Sequence, residues 1–226
     1  MNVLNYNQFS NLSESDGGKS YTFDELSPEA KKNAIEKNRD YDIESYDWWE
    51  PIIEGFTGDL EEIGMTNVDC QFSGFYSQGD GASFTGRVSD NRKFLKSVGV
   101  TPELVGLGSK ISSKFENVLN EISDNLYITI QRESNRHYHS KTVSALVEVD
   151  GEDEIELDLG LGMIIEIDLN DVCEKIEPVI TDWAQKKSDD LYTKLESHYE
   201  ELMSDENIES NLRSGGHEFD EEGNMI

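Results

Sequence analysis

Residues 66–88 read TNVDCQFSGFYSQGDGASFTGRV, and the spacing of apolar positions in this stretch decides the fold. Val68, Cys70 and Phe72 alternate with Asn67, Asp69 and Gln71, and Phe84, Gly86 and Val88 alternate again further on. A period of two sends successive side chains to opposite faces, so each run predicts a strand with one dry face. The connecting segment holds Gly74, Gly79 and Gly81 and no helical pattern, which makes the pair a β-hairpin. A phosphate-cradling P-loop is excluded, because it needs a Gly-Lys-Ser/Thr sequence opening a helix, and here a strand follows with no lysine between. Gly79 and Gly81 flank Asp80 and allow the positive φ of a tight turn, while Gly74 suggests a bulge that re-aims Phe75 and Tyr76. Tyr76, Gln78 and Asp80 then stand at the loop tip as candidate contacts for a ligand or partner.

Upstream the period lengthens to 3.6. Ser27 is an N-cap with Pro28 at the first helical position, and Ala30, Ala34 and Ile35 mark the buried side with Leu26 as staple. A second helical stretch, about 43–63, carries Tyr46, Trp49, Ile53, Phe56 and Leu60 at steps of three or four, with Pro51 marking a start or a kink. Trp48 and Trp49 point about 100° apart on a helix, so one can fill the core while the other reaches the surface or the hairpin loop. Both are candidate contacts.

Downstream, Asn91–Val98 predicts a short helix, and Thr101-Pro102-Glu103 opens another that runs to Ile122. Leu126, Ile128 and Ile130, then Val143, Ala145, Val147 and Val149, predict two further strands and a four-stranded antiparallel meander. An acidic insertion at about 150–169 alternates acid and apolar residues, which favours another strand or hairpin. A long helix at about 169–205 follows, kinked at Pro178, then a small closing hairpin at about 217–226. The reading is one α+β domain over 21–226, behind a loose arm at 1–20, with the sheet flanked by helices.

Charge narrows the function. The 48 acids against 19 bases give a net charge of −29, and 25 of the acids but only six of the bases lie between Ser140 and Ile226. Such a surface repels nucleic-acid phosphates and anionic membranes, since binding them needs Lys and Arg. It suits a basic partner protein, or imitation of DNA towards a protein that binds DNA. Glu152, Asp153, Glu154, Glu156 and Asp158 are the candidate contacts. Asp150, Glu152 and Glu154 sit at positions one, three and five of a calcium loop, but Ile155 replaces the glycine that loop requires. Against this background Arg132, Arg136, His137, His139 and Lys141 form the one basic cluster, able to receive an acidic segment or an anion. The two imidazoles share a strand face and could grip a metal, but the neighbouring arginines disfavour a cation.

No serine lies in a nucleophile elbow, neither cysteine has a nucleophile signature, and acids are too abundant for any carboxylate pair to stand out. The reading is therefore a non-enzyme with no catalytic residues, cofactor or metal. Cys70 and Cys173 are too few for a disulfide framework or a zinc site and read as reduced, buried thiols of a cytoplasmic protein. No run is long and apolar enough to span a membrane, and MNVLNYNQFS lacks the basic start of a secretory signal.

Three stretches carry a family resemblance: YTFDELSPEAKKNAIEKNRD followed by WWE, then FSGFYSQGDGASFTG, then YTKLESHYEELMSDENIESNLRSGGHEFDEEGNMI. Together they resemble a family of tailed-bacteriophage proteins, some labelled as the antitoxin component of a toxin–antitoxin stability system. The stretch 151–169 is longer than expected of that family, and Gly215-Gly216 stands where bulkier residues are expected. The resemblance implies an acidic inhibitor, acting in the host cytoplasm, that neutralises a host toxin or anti-phage defence factor. The alternative from another class is a nucleotide- or small-ligand-binding protein, a sponge for a defence signal, using the 72–84 loop.

Overall fold

The computed structural model describes residues 19–107, 114–134, 136–158, 160, 162 and 164–226. The arm expected at 1–20 lies outside them except for its last two residues. The helices are α1 (Pro28–Lys37), α2 (Tyr41–Ser45), α3 (Glu50–Glu62), α4 (Asn91–Ser97), α5 (Phe115–Asp124), α6 (Leu169–Leu202) and α7 (Asp205–Ser214). The strands are β1 (Met65–Phe72), β2 (Ala82–Val88), β3 (Leu126–Arg132), β4 (Val143–Val149), β5 (Glu154–Asp158) and β6 (Ile164–Asp168). The architecture is α+β, and the chain divides into two compact units, Trp49–Ser197 and Met1–Trp48 with His198–Ile226.

In the Trp49–Ser197 unit the strands form one antiparallel sheet in the order β1-β2-β3-β4, the meander expected from the alternation. Cys70 pairs with Phe84, Gly86 with Ile130 and Ile130 with Ala145, which lines up the dry face. Phe84, fully buried on β2, meets Phe56 of α3 at 5.4 Å and Trp183 of α6 at 6.2 Å, and Phe94 of α4 meets Trp183 at 5.1 Å. These edge-on ring contacts tie three helices to the centre of the sheet. Helix α6 buries Val172, Ile176, Ile180, Ala184, Leu191 and Leu195, the stripe that its sequence period predicts. Pro178 lies inside this helix, which is continuous from Leu169 to Leu202.

The long helix ends at Leu202 and a further helix, α7, follows where none is expected, and the structure departs from the expected elements at three other places. The stretch 43–63 is two helices, because the backbone turns at Tyr46–Trp49, where Trp48 N–H donates to Tyr46 O at 2.8 Å. Pro51 then occupies the first turn of α3, where its missing N–H removes no helical bond. After Thr101 one turn forms, Val105 N–H donating to Thr101 O, and Gly106 at φ +79° closes it. The described helix begins only at Phe115, and residues 108–113 lie outside the description. The strand irregularity is not at Gly74, which lies beyond the end of β1, but at Asn67, where φ is +53° and the register shifts between Thr66 and Asp69. Asn is the non-glycine residue that takes this conformation most readily.

The other unit is built from both ends of the sequence. Phe23, Leu26, Ala30 and Ala34 share a buried cluster with Ile208, Leu212 and Phe219. Ser27 caps α1 by accepting from Ala30 N–H at 3.1 Å. Phe219 pairs with Tyr21 on one side and Met225 on the other. Between them Asp220 accepts from the backbone N–H groups of Glu222 and Asn224 and from the Asn224 amide. This turn brings Gly223, at φ +84°, so close to α1 that a Cβ there would overlap the carbonyl oxygen of Ala30. Asn33 donates to Glu222 O, and Lys37 to the Asn224 side-chain oxygen. Arg39 reaches Met203 O and Asp205, and Asp42 accepts from Asn207 and Asn211, which fixes the start of α7.

Candidate partner-binding surfaces

The acidic insertion folds as a two-stranded antiparallel ribbon. Ile155 faces Ile167 and Leu157 faces Ile165 on its drier side. On the wet side Glu154 lies directly opposite Asp168, and Glu156 directly opposite Glu166, with Asp158 at the end of the row. All five carboxylate residues are exposed. Directly opposed residues have Cβ atoms about 5 Å apart, and like charges there oppose strand pairing by a few tenths to about 1 kcal/mol. Asp168 is partly occupied in capping the start of α6 through Asn170 N–H and Asp171 N–H, and Asp158 accepts from Gly160 N–H. Among the described residues none of the five has a cationic side chain within ion-pair distance. The sequence reading named Glu154, Glu156 and Asp158 but missed Glu166 and Asp168. The alternation in IIEID at 164–168 was the signal that would have found them. Glu152 and Asp153 sit in the exposed turn before the ribbon, where Asp153 O accepts from Leu169 N–H at 2.8 Å.

Two other predicted segments, the loop after β1 and the turn after β3, meet at one end of the four-stranded sheet. Gly81 has no room for a side chain: a Cβ would sit 2.6 Å from His139 Cβ and 3.0 Å from Tyr138 O. Its glycine is used for close approach rather than for positive φ, which Gly79 supplies at +96°. Asp80 Oδ2 accepts from Ser77 N–H at 2.6 Å, so this carboxylate builds the turn. Tyr76 and Gln78 remain exposed at the tip, Tyr76 at 75%. Behind the tip an aromatic row runs from Trp49 to Phe72 at 6.2 Å, Phe75 at 6.1 Å and Tyr192 at 5.6 Å. Tyr192 donates to Gly74 O, and burial, with the charges of Glu196 and Asp80 behind it, raises its phenol above the ordinary range. Trp48 belongs to the other unit, 6% exposed against His198 and Tyr199, so it packs while Trp49 reaches the loop.

In the turn after β3, the Arg132 guanidinium lies over the Tyr138 ring at 4.8 Å, and its Nη1 donates to the buried Ser83 hydroxyl at 3.3 Å. His137 and His139 hold their rings 6.2 Å apart, and Thr142 Oγ1 donates to the backbone carbonyls of both. Arg136 is exposed. No group of three or more His, Cys, Asp or Glu converges on a metal position among the described residues. Burial pushes both thiols up to about 11, so neither Cys70 nor Cys173 holds a thiolate at neutral pH. No described helix is long and apolar enough to cross a membrane.

No curated protein and no solved structure matches the chain. The model of a family described as a domain of unknown function, DUF8835, matches residues 48–205. That span takes in the whole sheet-bearing unit, Trp49–Ser197, and ends at the first residue of α7. The chain belongs to the DUF8835 family.

Proposed function

We propose that this is a non-enzymatic binding protein whose acidic ribbon engages a basic surface on another protein. The observation that carries the reading is the pairing of Glu154 with Asp168 and of Glu156 with Glu166. A surface chosen for solubility alone has no reason to set carboxylates opposite one another at a cost in stability, whereas a cationic partner turns that cost into affinity. Five carboxylates on strands about 17 Å long give roughly one charge per 3.4 Å. That is the density of one DNA strand and about half that of the duplex. The ribbon on its own therefore resembles a single phosphate strand, and mimicry of duplex DNA would need further acids from the same half of the chain. The resemblance to tailed-phage proteins suggests the setting: the cytoplasm of an infected host, with a toxin or anti-phage defence factor as the partner.

The test is capture from host lysate with the intact chain and with an E154Q/E156Q/E166Q variant. A basic protein should be retained by the first and lost by the second, and its affinity should fall about tenfold or more between low and moderate salt. Equal retention by both chains, or binding indifferent to salt, rejects the reading.

A further inference from the structure

The turn after β3 carries a second, opposite specificity. Arg132 Nη1 is taken by Ser83 Oγ, and the face of the guanidinium is taken by Tyr138. Nη1 lies on the same side of the group as Cδ, so Nε and Nη2 form the remaining edge. Nε is buried and has no hydrogen-bond partner among the described residues. Nη2 has no protein acceptor there either. This is the edge that grips a two-oxygen anion with two parallel hydrogen bonds. A buried N–H left unpaired is costly, so its persistence points to an acceptor from outside the described chain.

The surroundings give the same indication. Arg132, Arg136, His137, His139 and Lys141 have no carboxylate within ion-pair distance among the described residues, so no described protein anion occupies this turn. The close approach at Gly81 pins the loop after β1 against this turn, so the guanidinium sits in a built corner of the fold.

We propose that the Nε–Nη2 edge of Arg132 is a binding site for a phosphoryl group, with Arg136 and Lys141 on the same turn adding positive charge. The Arg132 fork with two further cations on the same turn suits a phosphate monoester, which carries about −1.5 to −2 charges at neutral pH, better than a singly charged carboxylate. The source is either free phosphate or a small phosphorylated molecule such as a nucleotide. This site is independent of the acidic ribbon, and either can fail without the other.

Titrating the protein with inorganic phosphate, with AMP and with acetate, at fixed ionic strength, decides the matter. Calorimetry and the Arg132 Nε–H proton resonance are the readouts. Phosphate or AMP should saturate with a Kd of millimolar or tighter and shift that resonance, and acetate should bind at least about tenfold more weakly. Tighter binding of AMP than of phosphate assigns a nucleotide, and equal binding assigns free phosphate. R132K keeps the charge but removes the fork, and should weaken binding about tenfold; R136A, at an exposed position whose side chain makes no hydrogen bond or ion pair among the described residues, should weaken it about threefold with unchanged melting. The proposal is overturned if binding is not saturable, if acetate binds as well, or if R132K, R136A and the parent bind alike.

Discussion

Thr181 Oγ1 on α6 accepts a hydrogen bond at 2.9 Å from the backbone N–H of Ala145 on β4, the last strand of the sheet. It is the middle of a ladder. One helical repeat earlier Glu177 accepts from Val147 N–H at 3.3 Å, and one repeat later Gln185 donates to Val143 O at 3.0 Å. Four helical residues rise about 6 Å and two strand residues about 6.8 Å, so side chains at 177, 181 and 185 stay in step with backbone groups at 147, 145 and 143. An edge strand with unpaired N–H and C=O groups invites pairing with other chains, and here side chains close that edge.

Replacing Thr181 with Val keeps the shape but leaves Ala145 N–H without its acceptor. Chemical denaturation should report a loss of about 1–2 kcal/mol, and hydrogen exchange at Ala145 should accelerate. An unchanged denaturation midpoint would show that the contact is not needed to seal the edge.

Gly223 offers a sharper test in the unit built from both ends. Its φ of +84° and its position against Ala30 O both exclude a side chain. Gly223→Ala should cost about 2 kcal/mol or more and detach the turn at 219–225 from α1, seen as lost protection of the Phe219 and Tyr21 amides. Gly79→Ala, at an exposed turn with open space around it, should cost about 1 kcal/mol and leave those amides unaffected.

The same turn has a pH signature. Hydrogen bonds from the Asn224 side chain, then from the backbone N–H groups of Asn224 and Glu222, hold the Asp220 carboxyl below its ordinary value of 3.8. A carboxyl lowered by folding stabilises above its ordinary value, and that contribution disappears as pH falls through the lowered one. Thermal melts of the parent and of D220N, compared from pH 7 to pH 2, should therefore converge on the acid side. The comparison is needed because protonating the other acids relieves repulsion across a chain of charge −29. A stability difference that is constant with pH would exclude this role for Asp220.

The acidic ribbon predicts a trade between stability and binding. Glu156→Gln or Glu166→Gln removes one of two directly opposed charges and should raise stability by about 0.2–0.5 kcal/mol, an increment that added salt should shrink. The same change should weaken retention of a basic partner. A variant that gains neither stability nor loses binding would mean that Glu156 and Glu166 do not repel each other across the ribbon.

The four-stranded meander and the long helix were legible because period two and period 3.6 are written plainly in residues such as Cys70, Phe72, Ile176 and Ile180. The break at Tyr46–Trp49 was not, because the apolar spacing of Tyr46, Trp49 and Ile53 passes through it unchanged, and only Pro51 hinted at a fresh start. The bulge moved from Gly74 to Asn67 because glycine advertises flexibility wherever it sits, while Asn takes positive φ without a visible pattern. For the loop end, composition identified Tyr76, Gln78, Arg132 and the two histidines. It did not reveal that Gly81 brings the two loops together or that Asp80 is consumed by its own turn. Those facts belong to long-range packing, which no local spacing encodes.

The contact between Asn33 and Glu222 spans 189 positions of sequence, and the Ala30–Gly223 contact is of the same kind. The sheet-bearing unit is one continuous stretch and needs nothing outside 49–197 for its strands to pair. On a ribosome, that stretch can fold while Phe23 and Leu26, just before α1, are still exposed, because the surface that buries them has not been made. A chain cut short before α7 would therefore keep the sheet and leave Phe23, Leu26, Ala30 and Ala34 uncovered. The second unit is thus closed physically only when Phe219 comes to cover Phe23.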